Sequence, residues 1–95
     1  MADLLDEEEI EQRLTELGAD WEREGAEIQK VYEFDDFASG IKFVQGVAKL
    51  ADRYNHHPDI DIRFNKVKLV LTTHSEDGLT PIDFDLAADI EQTLG

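Results

Sequence analysis

The sequence of 95 residues has no cysteine, only two prolines and no long run of apolar residues. Without cysteine, the chain can form no disulfide and can use no thiolate. No apolar segment approaches the roughly 20 residues that span a bilayer. The acidic residues 1–10 lack the basic and apolar parts of a signal peptide. We therefore expect a cytoplasmic protein that folds as one domain over residues 1–95.

Positive charge is also scarce, because 23 acidic residues outnumber 9 Lys and Arg and leave a formal net charge of -14. A surface this acidic repels the phosphates of nucleic acids and anionic membranes, so neither is an expected partner. The acidic residues are spread along the chain and are not confined to a tail. We interpret this as adaptation to concentrated salt, as in a halophilic protein, with an ordinary acidic surface as the alternative.

Hydrophobic periodicity predicts an α+β fold in the order α-β-β-α-β-β-α. The predicted helices are residues 6–17, residues 35–54 and a last segment that follows Thr80. The predicted strands are residues 21–24, 26–34, 60–64 and 66–73. Tight connections make each strand pair a hairpin, so the four-stranded sheet is antiparallel. Because the strands have one apolar face, we expect the three helices to pack on that face.

Capping residues support the predicted helix boundaries. Asp6 can cap the first helix together with Glu9, and Gly18 suits its end. Thr80 precedes Pro81 and has Asp83 three residues later, which is typical of a helix start. In the central helix, the apolar residues at helical spacing are Phe37, Ile41, Val44, Ala48 and Ala51.

The only three histidines of the sequence, His56, His57 and His74, are the candidate catalytic residues. His56 and His57 precede Pro58 at the end of the central helix, and His74 follows the last predicted strand. The two ends of a hairpin lie side by side, so His74 is expected to return close to the other two histidines. Imidazole exchanges protons near neutral pH, which favours one acid–base site.

Three alternatives compete with an acid–base site: solvated surface histidines, a buried structural cluster and a zinc site. Adjacent histidines rarely direct both side chains at one ion, and the sequence has no HxH or HxxxH spacing. We therefore expect no metal. Composition alone does not separate the remaining interpretations.

The spacing of polar and aromatic residues around the histidines is more specific. The spaced residues are Asp52, His56-His57-Pro58, Phe64, His74 and Asp83, with three, five, nine and eight residues between them. This pattern resembles that of the pterin-4a-carbinolamine dehydratase family, also called the dimerisation-cofactor family. Flanking residues that also match are Tyr54-Asn55, Asn65-Lys66-Val67, Thr72-Thr73 and Gly78-Leu79. Ile60 departs from the family, since many relatives carry tryptophan there.

The resemblance implies a hydro-lyase that removes water from a 4a-hydroxytetrahydropterin, such as 4a-hydroxytetrahydrobiopterin in tetrahydrobiopterin biosynthesis. The product would be a quinonoid dihydropterin, and no cofactor is needed. In this interpretation His56 and His74 are the acid–base residues, and His57 mainly holds the pterin. The family also implies a homodimer formed by joining sheets, or a homotetramer formed by packing helices. A pterin-handling or dimerisation protein without this activity is the alternative function.

The resemblance adds three supporting residues, Asp83, Asp52 and Phe64. Asp83 matches the aspartate of the family, although a helix-capping role beside Thr80 explains it equally well. Asp52 lies one helical turn before His56 and is expected to orient that imidazole or to be exposed. Phe64 matches the aromatic position of the family pattern.

The net charge of -14 generates a first prediction. The Debye length falls from roughly 30 Å at about 0.01 M salt to roughly 3 Å at about 1 M, so salt screens carboxylate repulsion. The melting temperature should therefore rise, and the oligomer measured by light scattering should grow, as potassium chloride increases over this range. A melting temperature that is flat or falls across the series would contradict salt adaptation.

Overall fold

The computed structural model describes residues 3–95. Its elements are α1 (Glu7–Leu17), β1 (Glu22–Glu24), β2 (Glu27–Glu33), α2 (Phe37–Tyr54), β3 (Asp59–Arg63), β4 (Lys66–Leu71), a 3-10 helix (His74–Glu76) and α3 (Pro81–Thr93). The order of helices and strands is the one predicted from the sequence, so the α+β fold class is confirmed.

The four strands form one antiparallel sheet in the spatial order β1-β2-β4-β3. β4 lies between β2 and β3, and its register pairs Leu69 with Lys30 on one side and with Ile60 on the other. Asp59, the first residue of β3, is paired with Val70 near the end of β4. This register brings the end of α2 and the chain that follows β4 to the same end of the hairpin.

The helices cover one face of the sheet, as predicted. Val67, Leu69 and Leu71 point into the core from β4, and Ile28 and Tyr32 join them from β2. The main helical core residues are Ile10, Phe43, Val47, Leu50, Phe84, Leu86 and Ile90. Within residues 3–95, no helix is long and apolar enough to cross a membrane.

The face that α2 buries differs from the apolar stripe noted in the sequence. The buried residues are Gly40, Phe43, Val47, Leu50 and Ala51. Of the noted stripe only Ala51 is fully buried, while Phe37 is 50 % exposed. α2 carries apolar residues on more than one face, so its periodicity identifies a helix but does not select the face. Packing against the sheet and α3 makes that selection.

α3 packs closely against α2 at a glycine. A Cβ atom on Gly46 would lie 2.8 Å from Cδ2 of Leu94, so only glycine fits there without movement of Leu94. Nearer the end of α2, the Tyr54 hydroxyl donates a hydrogen bond to Asp89 Oδ2 at 2.9 Å. These two contacts fix the position of α3 relative to the end of α2.

The predicted helix starts are confirmed where side chains make the cap. The Glu9 amide donates to Asp6 Oδ1 at 2.8 Å, and the Asp6 amide donates to Glu9 Oε1 at 3.0 Å. α1 ends at Gly18, which has a positive φ of 55° and donates its amide to the Leu14 carbonyl. α2 is capped by Asp36 through the Ser39 amide.

Glu91 joins the C-terminal half of α3 to the sheet. Its Oε1 accepts hydrogen bonds from Trp21 Nε1 at 3.1 Å, from Lys30 Nζ at 2.5 Å and from the Tyr32 hydroxyl. Burial alone would raise the pKa of Glu91, but the hydrogen bonds from Lys30, Tyr32 and Trp21 outweigh it and lower that pKa. Burial and the bond to Glu91 raise the pKa of Tyr32.

Glu91→Gln should therefore lower the free energy of unfolding at pH 7 by about 1–3 kcal/mol, the usual contribution of a charged hydrogen-bonded group. Because the folded state lowers the pKa of Glu91, its charge stabilises the fold above the ordinary carboxyl pKa of 4.5 and loses this effect as pH falls below it. The difference between wild type and variant should thus shrink in acid. Urea denaturation from pH 7 to pH 3 measures this difference in the free energy of unfolding, with Glu8→Gln, at an exposed position of α1, as control. A difference that does not change with pH would contradict this account.

Candidate active site

The C-terminal end of α2 fixes the position of His56. Asn55 adopts the left-handed conformation with φ 50° and ψ 43°, which asparagine tolerates at helix ends. The His56 amide then donates back to the Ala51 carbonyl at 3.1 Å. Pro58 follows, and β3 starts at Asp59. His56 and His57 therefore lie in the short connection between α2 and β3, which the hydrogen bond from the His56 amide holds against the end of α2.

His56 contacts a buried carboxylate in the first turn of α3. Its Nε2 lies 2.5 Å from Asp83 Oδ1. The Asp83 side chain has 0 % exposure and that of His56 has 13 %. The two residues are 27 positions apart in sequence, so only the packing of α3 against the end of α2 brings them together.

The other oxygen of Asp83 is held by two threonines. Its Oδ2 accepts the Thr80 amide at 3.0 Å and the Thr73 hydroxyl at 2.8 Å. The two threonine hydroxyls are also 2.8 Å apart. Within residues 3–95, every buried side-chain nitrogen or oxygen has a hydrogen-bond partner. From sequence, Asp83 was either the aspartate of the family site or a helix cap. In the structure the same carboxylate accepts the Thr80 amide as a cap and contacts His56.

His74 follows Thr73 directly and begins the 3-10 helix. Thr73 pairs with Gly78 as an isolated bridge, with its amide donating to the Gly78 carbonyl at 2.9 Å. His74 itself is exposed. Because Thr73 contacts Asp83 and Asp83 contacts His56, the segment carrying His74 reaches the same end of the sheet as His56.

Of the two alternatives for Asp52, orienting His56 or being exposed, the structure shows the second, and no hydrogen bond joins Asp52 to His56 among the described residues. Asp52 Oδ1 lies 3.0 Å from His57 Nε2, and both side chains are exposed, at 79 % and 59 %. Asp52 and His56 are not one helical turn apart on the same helix face, because α2 ends at Tyr54 and the left-handed conformation of Asn55 changes the direction of the backbone. Asp83 takes the role of holding His56.

Phe64 lies at the opposite end of the β3–β4 hairpin, in the tight connection between Arg63 and Lys66. The five residues of β3 separate it from His57 and Pro58, which corresponds to about 17 Å of strand. Its side chain is 70 % exposed and its φ is 52°, which is unusual for an aromatic residue. Within one copy of the chain, Phe64 therefore lies away from the candidate catalytic histidines.

The arrangement combines one anchored imidazole with two exposed ones. His56 is held by Asp83 and is mostly buried, whereas His57 and His74 are open to solvent. Within residues 3–95, no three His, Asp or Glu side chains form a group that could hold a metal ion. Imidazoles in this arrangement can exchange protons with a ligand bound beside them.

Sequence reasoning missed one residue of this site, Thr73, and gave Thr80 only a capping role. Thr73 was noted only as a flanking residue that matches the family pattern, and nothing in the sequence showed a contact with Asp83. Thr80 was found through its spacing to Pro81 and Asp83, but that motif does not show that its hydroxyl contacts another threonine. Both contacts depend on tertiary packing.

Comparison with known proteins identifies the family to which the chain is related. The family model described as pterin 4 alpha carbinolamine dehydratase matches residues 3–93. A relative from Roseiflexus castenholzii is 52% identical over 94 residues, covering 99% of this chain and 100% of the relative. One from Acidobacterium capsulatum is 53% identical over 85 residues, covering 90% and 91%. Both carry the provisional name pterin-4-alpha-carbinolamine dehydratase.

A solved structure has the same fold. The crystal structure described as a transcriptional coactivator/pterin dehydratase from Brucella melitensis superposes with a TM-score of 0.91 at 29% identity, covering 98% of this chain and 100% of that one. The fold is thus that of a small α+β protein with three helices on one four-stranded antiparallel sheet. The chain belongs to the pterin-4-alpha-carbinolamine dehydratase family.

The two aspartates of the site should differ sharply in their effect on stability. Asp83→Asn removes a buried charge that three donors surround, so the free energy of unfolding should fall by about 1–3 kcal/mol. Asp52→Asn, the matched control, breaks only an exposed pair and should leave stability unchanged. Urea denaturation of both variants tests this difference. Equal effects of the two substitutions would show that Asp83 does not anchor the site.

Proposed function

We propose that this protein removes water from a 4a-hydroxytetrahydropterin and releases a quinonoid dihydropterin. The C4a hydroxyl is a poor leaving group until it receives a proton, and N5 must lose its proton as the C4a–N5 double bond forms. The proton gained by the leaving water equals the proton lost from N5, so the reaction is balanced without a cofactor. Histidine acid–base catalysis meets both needs near neutral pH.

The observation that carries this proposal is the contact of His56 with buried Asp83 at 2.5 Å. Such a carboxylate fixes the orientation of an imidazole, which is a recurrent arrangement in acid–base sites. In our proposal His56 and His74 exchange the protons at C4a–OH and N5, and His57 holds the pterin ring. Family membership supports the substrate class. A cytoplasmic location fits this role.

We further propose that the protein acts as a homodimer or homotetramer. β3 is an edge strand whose residues are all exposed, and it presents Ile60 and Ile62 at 36 % and 38 % exposure. Antiparallel pairing of β3 with a second copy, centred on Asp61, would place the partner's Phe64 level with Pro58. This arrangement would give Phe64 a supporting role beside the histidines of the other copy.

A binding function is the second candidate, because the Brucella melitensis protein is described as both a coactivator and a pterin dehydratase. A binding role would depend on the surface of the protein and not on its imidazoles. Loss of the histidines therefore separates the two functions.

The direct test is a dehydratase assay on a 4a-hydroxytetrahydropterin made in situ. His56→Ala and His74→Ala should each lower the rate by about 10²–10⁴, the usual range for loss of a general acid or base. His57→Ala should act mainly on KM. Lys49→Ala, an exposed residue of α2, is the control, and EDTA should have no effect. Full activity in both His56→Ala and His74→Ala would refute the proposed mechanism.

A further inference from the structure

The directions of the hydrogen bonds around Asp83 indicate a role for Thr73 beyond its contact with that carboxylate. We propose that Thr73 is a positioning residue: through Asp83 it fixes His56 with its proton on Nε2, and through its backbone it holds the segment that carries His74. The catalytic consequence rests on the proposed dehydratase function. The position of the proton on His56 does not rest on that function, because it is a property of the protein without substrate.

The direction of each hydrogen bond around Asp83 follows from the donors. The Thr80 amide can only donate, so Asp83 Oδ2 is an acceptor in their contact at 3.0 Å. The Thr73 hydroxyl, 2.8 Å from the same oxygen, donates its single proton there. The Thr80 hydroxyl must then donate to Thr73 Oγ1, since the proton of Thr73 is already used.

These bonds leave Oδ1 of Asp83 for His56 alone. An ionised carboxylate only accepts, so Oδ1 accepts a hydrogen bond from His56 Nε2–H at 2.5 Å. A neutral imidazole carries one proton, so His56 then exposes an unprotonated Nδ1. Nδ1 is therefore the nitrogen that meets the pterin.

Thr73 also controls the neighbouring histidine through its backbone. Its amide donates to the Gly78 carbonyl at 2.9 Å, and its carbonyl accepts the Glu76 amide at 3.0 Å. These bonds hold both ends of the short segment between Thr73 and Gly78, which contains His74. The hydroxyl and the backbone of one residue, only 7 % exposed, therefore connect both acid–base histidines.

Thr73→Val tests this role because valine keeps the shape of the side chain and loses the hydroxyl. Two-bond ¹H–¹⁵N spectra of the free protein report which nitrogen of His56 carries the proton. We expect Nε2–H alone in the wild type. In Thr73→Val, Oδ2 of Asp83 loses one of its two donors, so the carboxylate can turn away from His56, and we expect a mixture of the two tautomers. Thr73→Ser, which restores the hydroxyl, should restore the Nε2–H form.

In the dehydratase assay Thr73→Val should lower kcat by about 10-fold to 100-fold with little change in KM, since small misplacements of catalytic groups cost up to about 10²-fold. Thr73→Ser should recover most of this loss. Thr73→Ala provides the same comparison if valine does not fit. Thr72→Val is the control, because the Thr72 hydroxyl bonds the Ala26 carbonyl and not the site.

An unchanged His56 tautomer in folded Thr73→Val or Thr73→Ala would overturn the proposal, as would a serine variant as impaired as valine. A shifted tautomer in a protein whose wild type lacks dehydratase activity would support the positioning role and refute the proposed function. The spectra and the assay therefore distinguish the two failures.

Discussion

The site depends on one buried carboxylate. Asp83 has no exposed side-chain surface, and a charge in such a place destabilises the fold unless hydrogen bonds satisfy it. Its partners come from three segments: His56 after α2, Thr73 after β4 and Thr80 before α3. The need to satisfy this group is the physical reason that three distant parts of the chain meet where the histidines lie.

α3 has to be held firmly for this carboxylate to stay in place. The close contact of Leu94 with Gly46 and the bond from Tyr54 to Asp89 tie α3 to α2. Glu91 ties its far end to the sheet through Lys30. The chain has few basic residues, and two of them join different elements. Lys30 of β2 pairs with Glu91 of α3, and Arg13 of α1 pairs with Asp85 of α3 at 2.7 Å.

Much of the fold follows from local chemistry that the sequence carries directly. Alternation of apolar residues identifies β2 and β4, and the Asp6–Glu9 cap locates α1 because its bonds join residues three positions apart. That His56 and the segment carrying His74 lie at the same end of the sheet was also predictable, since hairpin geometry relates the residues before β3 to those after β4. Spacing from Asp52 to Asp83 then indicated the family, which comparison with relatives confirmed.

The sequence by itself determined the element order, the helix caps and the set of candidate residues, because these depend on neighbours along the chain. Only the tertiary structure decided which face of α2 is buried, that Asp83 and not Asp52 contacts His56, and that Thr73 belongs to the site. Contacts between residues 10 or 27 positions apart, such as Thr73 and His56 with Asp83, arise from packing, and no local periodicity encodes them.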